Sequence, residues 1–182
     1  MPPTLSARDE ILSLIRTALP GTPTSVEASH ASIVRNYNRI GRLDRHACLE
    51  LFVEYLVDYD TEVIQLEEST GDTLIAQSVA DILRNAHEER LIVDEAFPDH
   101  WLPSSSENGL TILRDNGFTT EQIDVAQTVL TTCEAATAAT GTIFLVHGGA
   151  QGRRATTLLP DHHICIVRRD QVYELIPETL AV

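Results

Sequence analysis

Two nearly continuous apolar runs, Thr142 to Val146 and His163 to Val167, bracket a turn that holds three of the chain's nine glycines. Strands that are apolar on both faces belong in the middle of a covered sheet, so the pattern restricts the chain to layered folds with a buried sheet. The turn reads Gly148-Gly149-Ala150-Gln151-Gly152 and runs straight into Arg153-Arg154. Glycine lets main-chain amides approach a ligand closely, and successive amides in such a turn form an anion-binding concavity. The planar guanidinium fits a carboxylate or phosphate. The competing reading is a tight surface loop whose arginines are merely solvated. Gly152 to Leu159 predicts a short helix, ended by Pro160, whose N-terminus faces the glycine turn as a further anion site. The turn also follows the carboxyl end of the first run, where ligands gather in open α/β sheets.

The rest of the chain agrees with a layered fold. Ser6 and Asp9 mark a helix start, with Ile11, Leu12, Ile15 and Leu19 at helical spacing and Pro20-Gly21 as the stop. Residues Pro20 to Ser32 read as an arm, so residues 1–32 form a helical appendage and 33–182 the α/β domain. The appendage docks either on the main body or on a neighbouring subunit of a homo-oligomer. Asp44 caps a helix carrying Cys48, Leu49, Phe52, Val53 and Leu56 on one face. Thr61 to Leu66 predicts a short strand, Gly71-Asp72 a helix with Val79 and Leu83, and Leu91 to Val93 a strand. Leu110 to Leu113 adds a brief strand. Thr119 and Gln122 form a capping box, and Phe118 and Ile123 a hydrophobic staple, for a helix facing inward with Ile123, Ala126, Val129 and Leu130. Val172 to Leu180 reads as a last helix. Phe97 to Ser106, with the only tryptophan, fits a flap or a surface loop anchored by its aromatic. Helix–strand alternation of this kind is the mark of an open, mostly parallel sheet covered by helices.

Composition excludes several functions. All 13 basic residues are arginine, so a Walker A loop, a pyridoxal Schiff base and a lysine-dependent aldolase are ruled out. A net charge of -14 argues against nucleic acid, whose phosphates demand a basic face. No apolar run approaches a membrane span, and the start lacks the basic-then-apolar pattern of a secretory signal. A cytoplasmic location is therefore expected. Cys48, Cys133 and Cys165 are dispersed and odd in number, against a disulfide framework or an iron–sulfur cluster held by this chain alone.

At Ala138-x-Thr140-Gly141-Thr142, Gly152-Arg153, Leu158-Leu159-Pro160 and His163-Ile164 the chain resembles the lactate-utilization C proteins of the LUD-domain family. Its opening helix, Phe52 and the Thr61–Ile64 segment are similar to that family in pattern. The resemblance implies a sheet like that of sugar-phosphate isomerases, CoA transferases and formyltetrahydrofolate cyclo-ligase. It also implies a role in bacterial oxidation of L-lactate to pyruvate beside two partners that carry iron–sulfur clusters, with no cofactor on this chain itself. The alternative is a stand-alone transferase or ligase acting on a phosphorylated, CoA-linked or folate metabolite. Two departures matter. Ala139 stands where the family usually has an acidic residue, leaving Glu134 as the better carboxylate. The family pattern also continues past Val182 into a Gly-Pro-Ser turn, an acidic pair and a Gly-Val-His-Gly-Pro segment; were that tail missing from the protein, part of a pocket wall would be missing with it.

The residues expected to bind a small carboxylate or phosphate are Thr140, Gly141, Thr142, Gly148, Gly149, Gly152, Arg153, Arg154 and Thr156. The threonine hydroxyls could equally cap the turn. Catalytic candidates are Glu134, His147 and His163, although a strand histidine is more often structural. His162 and His163 point to opposite faces of a strand and cannot share a metal. No set of side chains has metal-ligand spacing.

Overall fold

Four parallel strands in the order β2-β1-β3-β6 form the frame, comprising β1 (Arg90–Asp94), β2 (Thr111–Asp115), β3 (Thr128–Thr132) and β6 (His162–Ile166). The computed structural model describes residues 6–19, 30, 32–67, 71–104 and 109–182. The chain divides into two units, Met1–Tyr37 and Asn38–Val182. In the first, α1 (Ala7–Ala18) begins where the Ser6 hydroxyl accepts the Asp9 amide. The expected stop at Pro20-Gly21 and the arm that follows fall largely on residues 20–29 and 31, outside the described residues.

In the second unit the sheet is covered on both faces, because successive strand residues alternate sides. Leu91, Val93 and Leu130 pack against Val79 and Leu83 of α3 (Gly71–Ala86). Ile92 and Val129 pack on the other side with Ile123 and Ala126, flanked by Ala155 and Leu159. Leu91, Ile92 and Leu130 are wholly buried, each worth about 1.5–3 kcal/mol relative to exposure. Trp101 sits at the edge of the α3 face, where its indole N–H donates to Asp72 at 2.8 Å and its ring meets Phe97 edge-on. The loop of Phe97 to Ser104 is thus anchored by its aromatic; Ser105 and Ser106 lie outside the described residues.

A second, three-stranded sheet in the order β5-β4-β7 joins β4 (Ala135–Thr137), β5 (Thr142–Phe144) and β7 (Val172–Tyr173). Here α2 (Arg45–Asp58) covers β4 through Cys48, Phe52 and Leu56, which meet Ala136 and Ala138. The small residues of β4 let the helix come close. Asp44 caps α2 by accepting the Ala47 amide at 2.9 Å.

Six expectations need correction. Thr142–Val146 is not a central strand. Only Thr142–Phe144 is β-structure, and it is the antiparallel edge of the small sheet, folded back on β4 through Gly141 in the left-handed region. His163–Val167 also lies at an edge, pairing only with β3. Thr61–Leu66 forms no strand: Asp60 is left-handed, the Thr61 amide bonds back to Leu56, and Val63 packs near α2. The helix after Thr119 keeps its capping box but ends at Ile123 as α4 (Thr120–Ile123). The β-branched run from Thr128 then takes Val129 and Leu130 into β3. Gly152–Leu159 is a series of turns rather than a helix. Gly152 has φ 69 and ψ 165, and the hydroxyls of Thr156 and Thr157 bond back to the carbonyls of Arg153 and Arg154, a local competitor of helix. Likewise Val172–Leu180 splits into β7 and α5 (Ile176–Thr179).

Candidate functional site

The glycine turn crosses the carboxyl side of the parallel sheet, packing on β1 and β3, with Ala150 against the α3-side core. Gln151 is buried beneath it. Its amide oxygen accepts the Val146 amide at 2.6 Å, and its amide nitrogen donates to Glu134 at 2.9 Å. One side chain therefore ties the end of the hairpin to the carboxylate that begins β4. His147 and Gly149 both have positive φ, 54 and 55. A left-handed histidine costs of the order of 1–2 kcal/mol, which the surrounding hydrogen bonds must offset. Together His147, Gly148 and Gly149 present an exposed crest beside the exposed Glu134.

Arg153 turns inward. Its Nε and one terminal nitrogen grip Asp115 at 2.6 and 3.1 Å, and the same terminal nitrogen also donates to the Phe118 carbonyl. Asp115, at the carboxyl end of β2, also accepts the amides of Gly117 and Phe118 at 3.0 and 2.8 Å. Burial pushes the Asp115 carboxyl up, but the Arg153 hydrogen bonds and the two amides outweigh it and hold it below the usual carboxylate value. The linkage has a definite sign. A depressed folded value contributes stability above the unfolded carboxylate value, about 3.9, and that contribution is lost as pH falls through the lower folded value. An acid melt of the wild type should therefore lose stability over this window more steeply than Asp115→Asn; parallel curves would contradict the assignment.

The anticipated ligand-binding residues fall into separate groups. Thr140, Gly141 and Thr142 lie at the tip of the β4–β5 hairpin, with Gly141 against Tyr55 of α2. The two threonine hydroxyls bond to each other at 2.8 Å. Glu134 is at the hairpin's other end, where its amide bonds to the Phe144 carbonyl. Gly148, Gly149 and Gly152 line the turn. The Thr156 hydroxyl is buried and donates to the Arg153 carbonyl at 2.7 Å. Arg154 is exposed, and among the described residues its guanidinium forms no ion pair. His163 bonds through Nε2 to the Thr131 hydroxyl at 2.8 Å. Desolvation, and then the neighbouring His162, lower its proton affinity. His162 faces away, its Nδ1 2.8 Å from Glu88.

Two clefts open elsewhere. One of about 450 Å³ is lined by Glu62, Ser78, Asp81, Asn85 and His162. The other, of about 530 Å³, is lined by Asp99, Leu102, Ser104, Ile112 and Arg114. The glycine turn lines neither. Among the described residues no group of three or more His, Cys, Asp or Glu is placed to hold a metal ion, and no helix is long and apolar enough to cross a membrane.

The LUD domain model matches residues 8–182. The chain belongs to the LUD domain family. A relative named lactate utilization protein C, from Deinococcus radiodurans, is 33% identical over 179 residues, covering 98% of this chain and 76% of the relative. The crystal structure of a DUF162 family protein from the same organism superposes with a TM-score of 0.67 at 35% identity, over 77% of this chain and 80% of that one. The α/β architecture with its mostly parallel sheet is thus the LUD fold, as the helix–strand alternation predicted.

Within this LUD domain, sequence reasoning passed over Asp115, Gln151 and Gln171. Asp115-Asn116-Gly117 is a turn signature at a strand end, in which an aspartate accepts amides two and three residues on; that signal was readable. Gln151 stood inside the quoted glycine motif but carried no chemistry by type. Gln171, whose amide nitrogen donates to the Cys133 carbonyl at 2.7 Å, had no local signal at all.

Proposed function

We propose that the chain is the component without clusters of a bacterial L-lactate-oxidising system, acting beside iron–sulfur proteins that carry the electrons. The observation that carries this reading is the identity to lactate utilization protein C across 98% of the chain. Lactate and pyruvate are small carboxylates; the crest from His147 to Gly149 is exposed, and Arg154, five residues beyond Gly149, is an exposed cation with no ion pair among the described residues. In this reading Arg154, with the outer edge of Arg153, meets the carboxylate, and the Arg153–Asp115 pair acts as the strut that holds the turn. Glu134, fixed by Gln151, faces the ligand's hydroxyl, with His147 next to it.

Arg154→Ala is expected to weaken lactate or pyruvate binding about tenfold to thirtyfold, as for a charged hydrogen-bond partner worth about 1.5–2 kcal/mol, while leaving Tm unchanged. Affinity equal to wild type by calorimetry would remove Arg154 from the site. Association is tested by co-expressing the chain with the two iron–sulfur proteins and isolating it by tag. A complex is the expected result, and a chain that purifies alone while its deletion strain still grows on lactate would overturn the proposal. Stabilisation by CoA esters or sugar phosphates, with none by lactate, would favour a transferase or ligase instead.

A further inference from the structure

Asn116-Gly117 is one of two Asn-Gly pairs in the chain, the other being Asn108-Gly109. In such a pair the glycine nitrogen can attack the asparagine side-chain carbonyl carbon, because the following residue has no β-carbon to hinder the approach. The turn that holds Asn116 joins the carboxyl end of β2 to α4. Asp115 is buried and Phe118 half-buried, whereas Asn116 and Gly117 between them are exposed. Among the described residues the Asn116 side chain has no hydrogen-bond partner. Gly117 has φ 114, and a β-carbon there would meet nothing within 4 Å, so the turn is open around the glycine. The Gly117 amide donates to Asp115 Oδ1 at 3.0 Å. The nitrogen that must lose a proton in order to attack is thus already bonded to a carboxylate, within the reach of a general base. Asn116 has no part in the lactate proposal.

We infer that Asn116 is a self-modification site, at which the folded turn converts the asparagine through a succinimide to isoaspartate or aspartate, with Asp115 as the proton acceptor. In the first step the Gly117 nitrogen bonds to the Asn116 Cγ, and its proton passes to Asp115. The bond from Cγ to the side-chain amino group then breaks, and the proton returns from Asp115 so that ammonia leaves. Water adds next to one of the two ring carbonyls. Cleavage of the new bond to nitrogen gives aspartate. Cleavage of the original peptide bond gives isoaspartate, in which the main chain runs through the β-carbon. One asparagine and one water become one acidic residue and one ammonia, with no change of oxidation state.

The change acts on the strut that holds the glycine turn. Asp115 accepts the amides of Gly117 and Phe118 at 3.0 and 2.8 Å across Asn116. Arg153 grips that same Asp115 and the Phe118 carbonyl. Either product places a second carboxylate next to Asp115, and isoaspartate also adds a methylene to the main chain between Asp115 and Gly117. The longer path shifts both amides relative to the carboxylate, so Arg153 is held less firmly. An irreversible step at one exposed residue therefore loosens the pairing whose carboxylate promotes it.

The test incubates the folded full chain at neutral pH in heavy-oxygen water and follows Asn116 and Asn108 side by side by peptide mapping and mass spectrometry. The expected result is loss of the amide at Asn116 ahead of Asn108, with uptake of heavy oxygen. Isoaspartate at position 116 is then detected with an isoaspartyl methyltransferase used as a reagent. Asp115→Ala should slow the change at Asn116 about tenfold, less than is usual for a positioned base because water takes over the proton. Asn116→Gln would need a larger ring, so it should keep its Tm through the incubation while the aged wild type melts lower. Asn116 that keeps its amide, or loses it no faster than Asn108, would overturn the proposal. So would an Asp115→Ala chain in which Asn116 changes faster while Asn108 does not. The wild-type comparison of the two asparagines decides the question even if Asp115→Ala fails to fold.

Discussion

Asp115→Ala is expected to destabilise the chain by about 2–4 kcal/mol, the range for removing one member of a buried ion pair when its partner keeps some solvent contact. The Asp115 side chain is 2% exposed and that of Arg153 is 41% exposed, so the arginine left behind recovers part of its hydration and the cost stays below that of a wholly buried charge. The amides of Gly117 and Phe118 lose their acceptor as well. A fall in Tm of roughly 10 °C follows, at a few degrees per kcal/mol. Arg153→Ala should cost less, since it exposes a carboxylate that still accepts two amides. Replacing both residues together should cost less than the sum of the two single changes, because the double variant leaves no orphaned charge. Calorimetric melts of the four proteins check this, and strict additivity would show that the pair is not an energetic unit.

Gly152→Ala is the second large effect. At φ 69 and ψ 165 its backbone lies in a region that only glycine occupies readily, and other residues there cost about 1–3 kcal/mol. A β-carbon would also stand 2.8 Å from the Thr156 Oγ, whose hydroxyl is committed to the Arg153 carbonyl. The strain therefore reaches Arg153 and the Asp115 strut. We expect about 2–4 kcal/mol of destabilisation together with disturbance of the turn. Gly148→Ala is the matched control: its φ of -156 suits any residue, and a β-carbon there meets nothing within 4 Å. Equal urea midpoints for the two variants would refute the role given to Gly152.

The two glycine variants mark the limit of what the sequence could reveal. Helix starts were legible because capping is local: Ser6 with Asp9, Asp44 with Ala47, and Thr119 with Gln122 each depend on residues three apart. The covered parallel sheet followed from the alternation of elements. Strand position did not, because an apolar run reports that its residues are shielded and says nothing about what shields them. Thr142–Phe144 and His162–Ile166 are both edge strands, half-buried apart from the exposed His163. The Gly152–Leu159 segment reads as a helix only until the hydroxyls of Thr156 and Thr157 turn back on the chain.

The candidate site was legible in its glycines and less so in its partners. Arg153 was visible as a cation, but the carboxylate that holds it is 38 residues away, and only the sheet brings them together. Thr140 and Thr142 stood close to the glycine turn in sequence, yet a hairpin carries them to its far tip. Thr131 and Cys165 appeared unrelated by spacing and are neighbours by register. Pairings across the sheet leave no trace in local pattern.

The most direct test of the functional account is reconstitution from purified components. Lactate-dependent reduction of an electron acceptor is measured with the two iron–sulfur proteins, in the presence and absence of this chain. The account predicts turnover only when the chain is present, with Arg154→Ala raising the lactate concentration required. Full turnover by the iron–sulfur proteins without it would contradict the account.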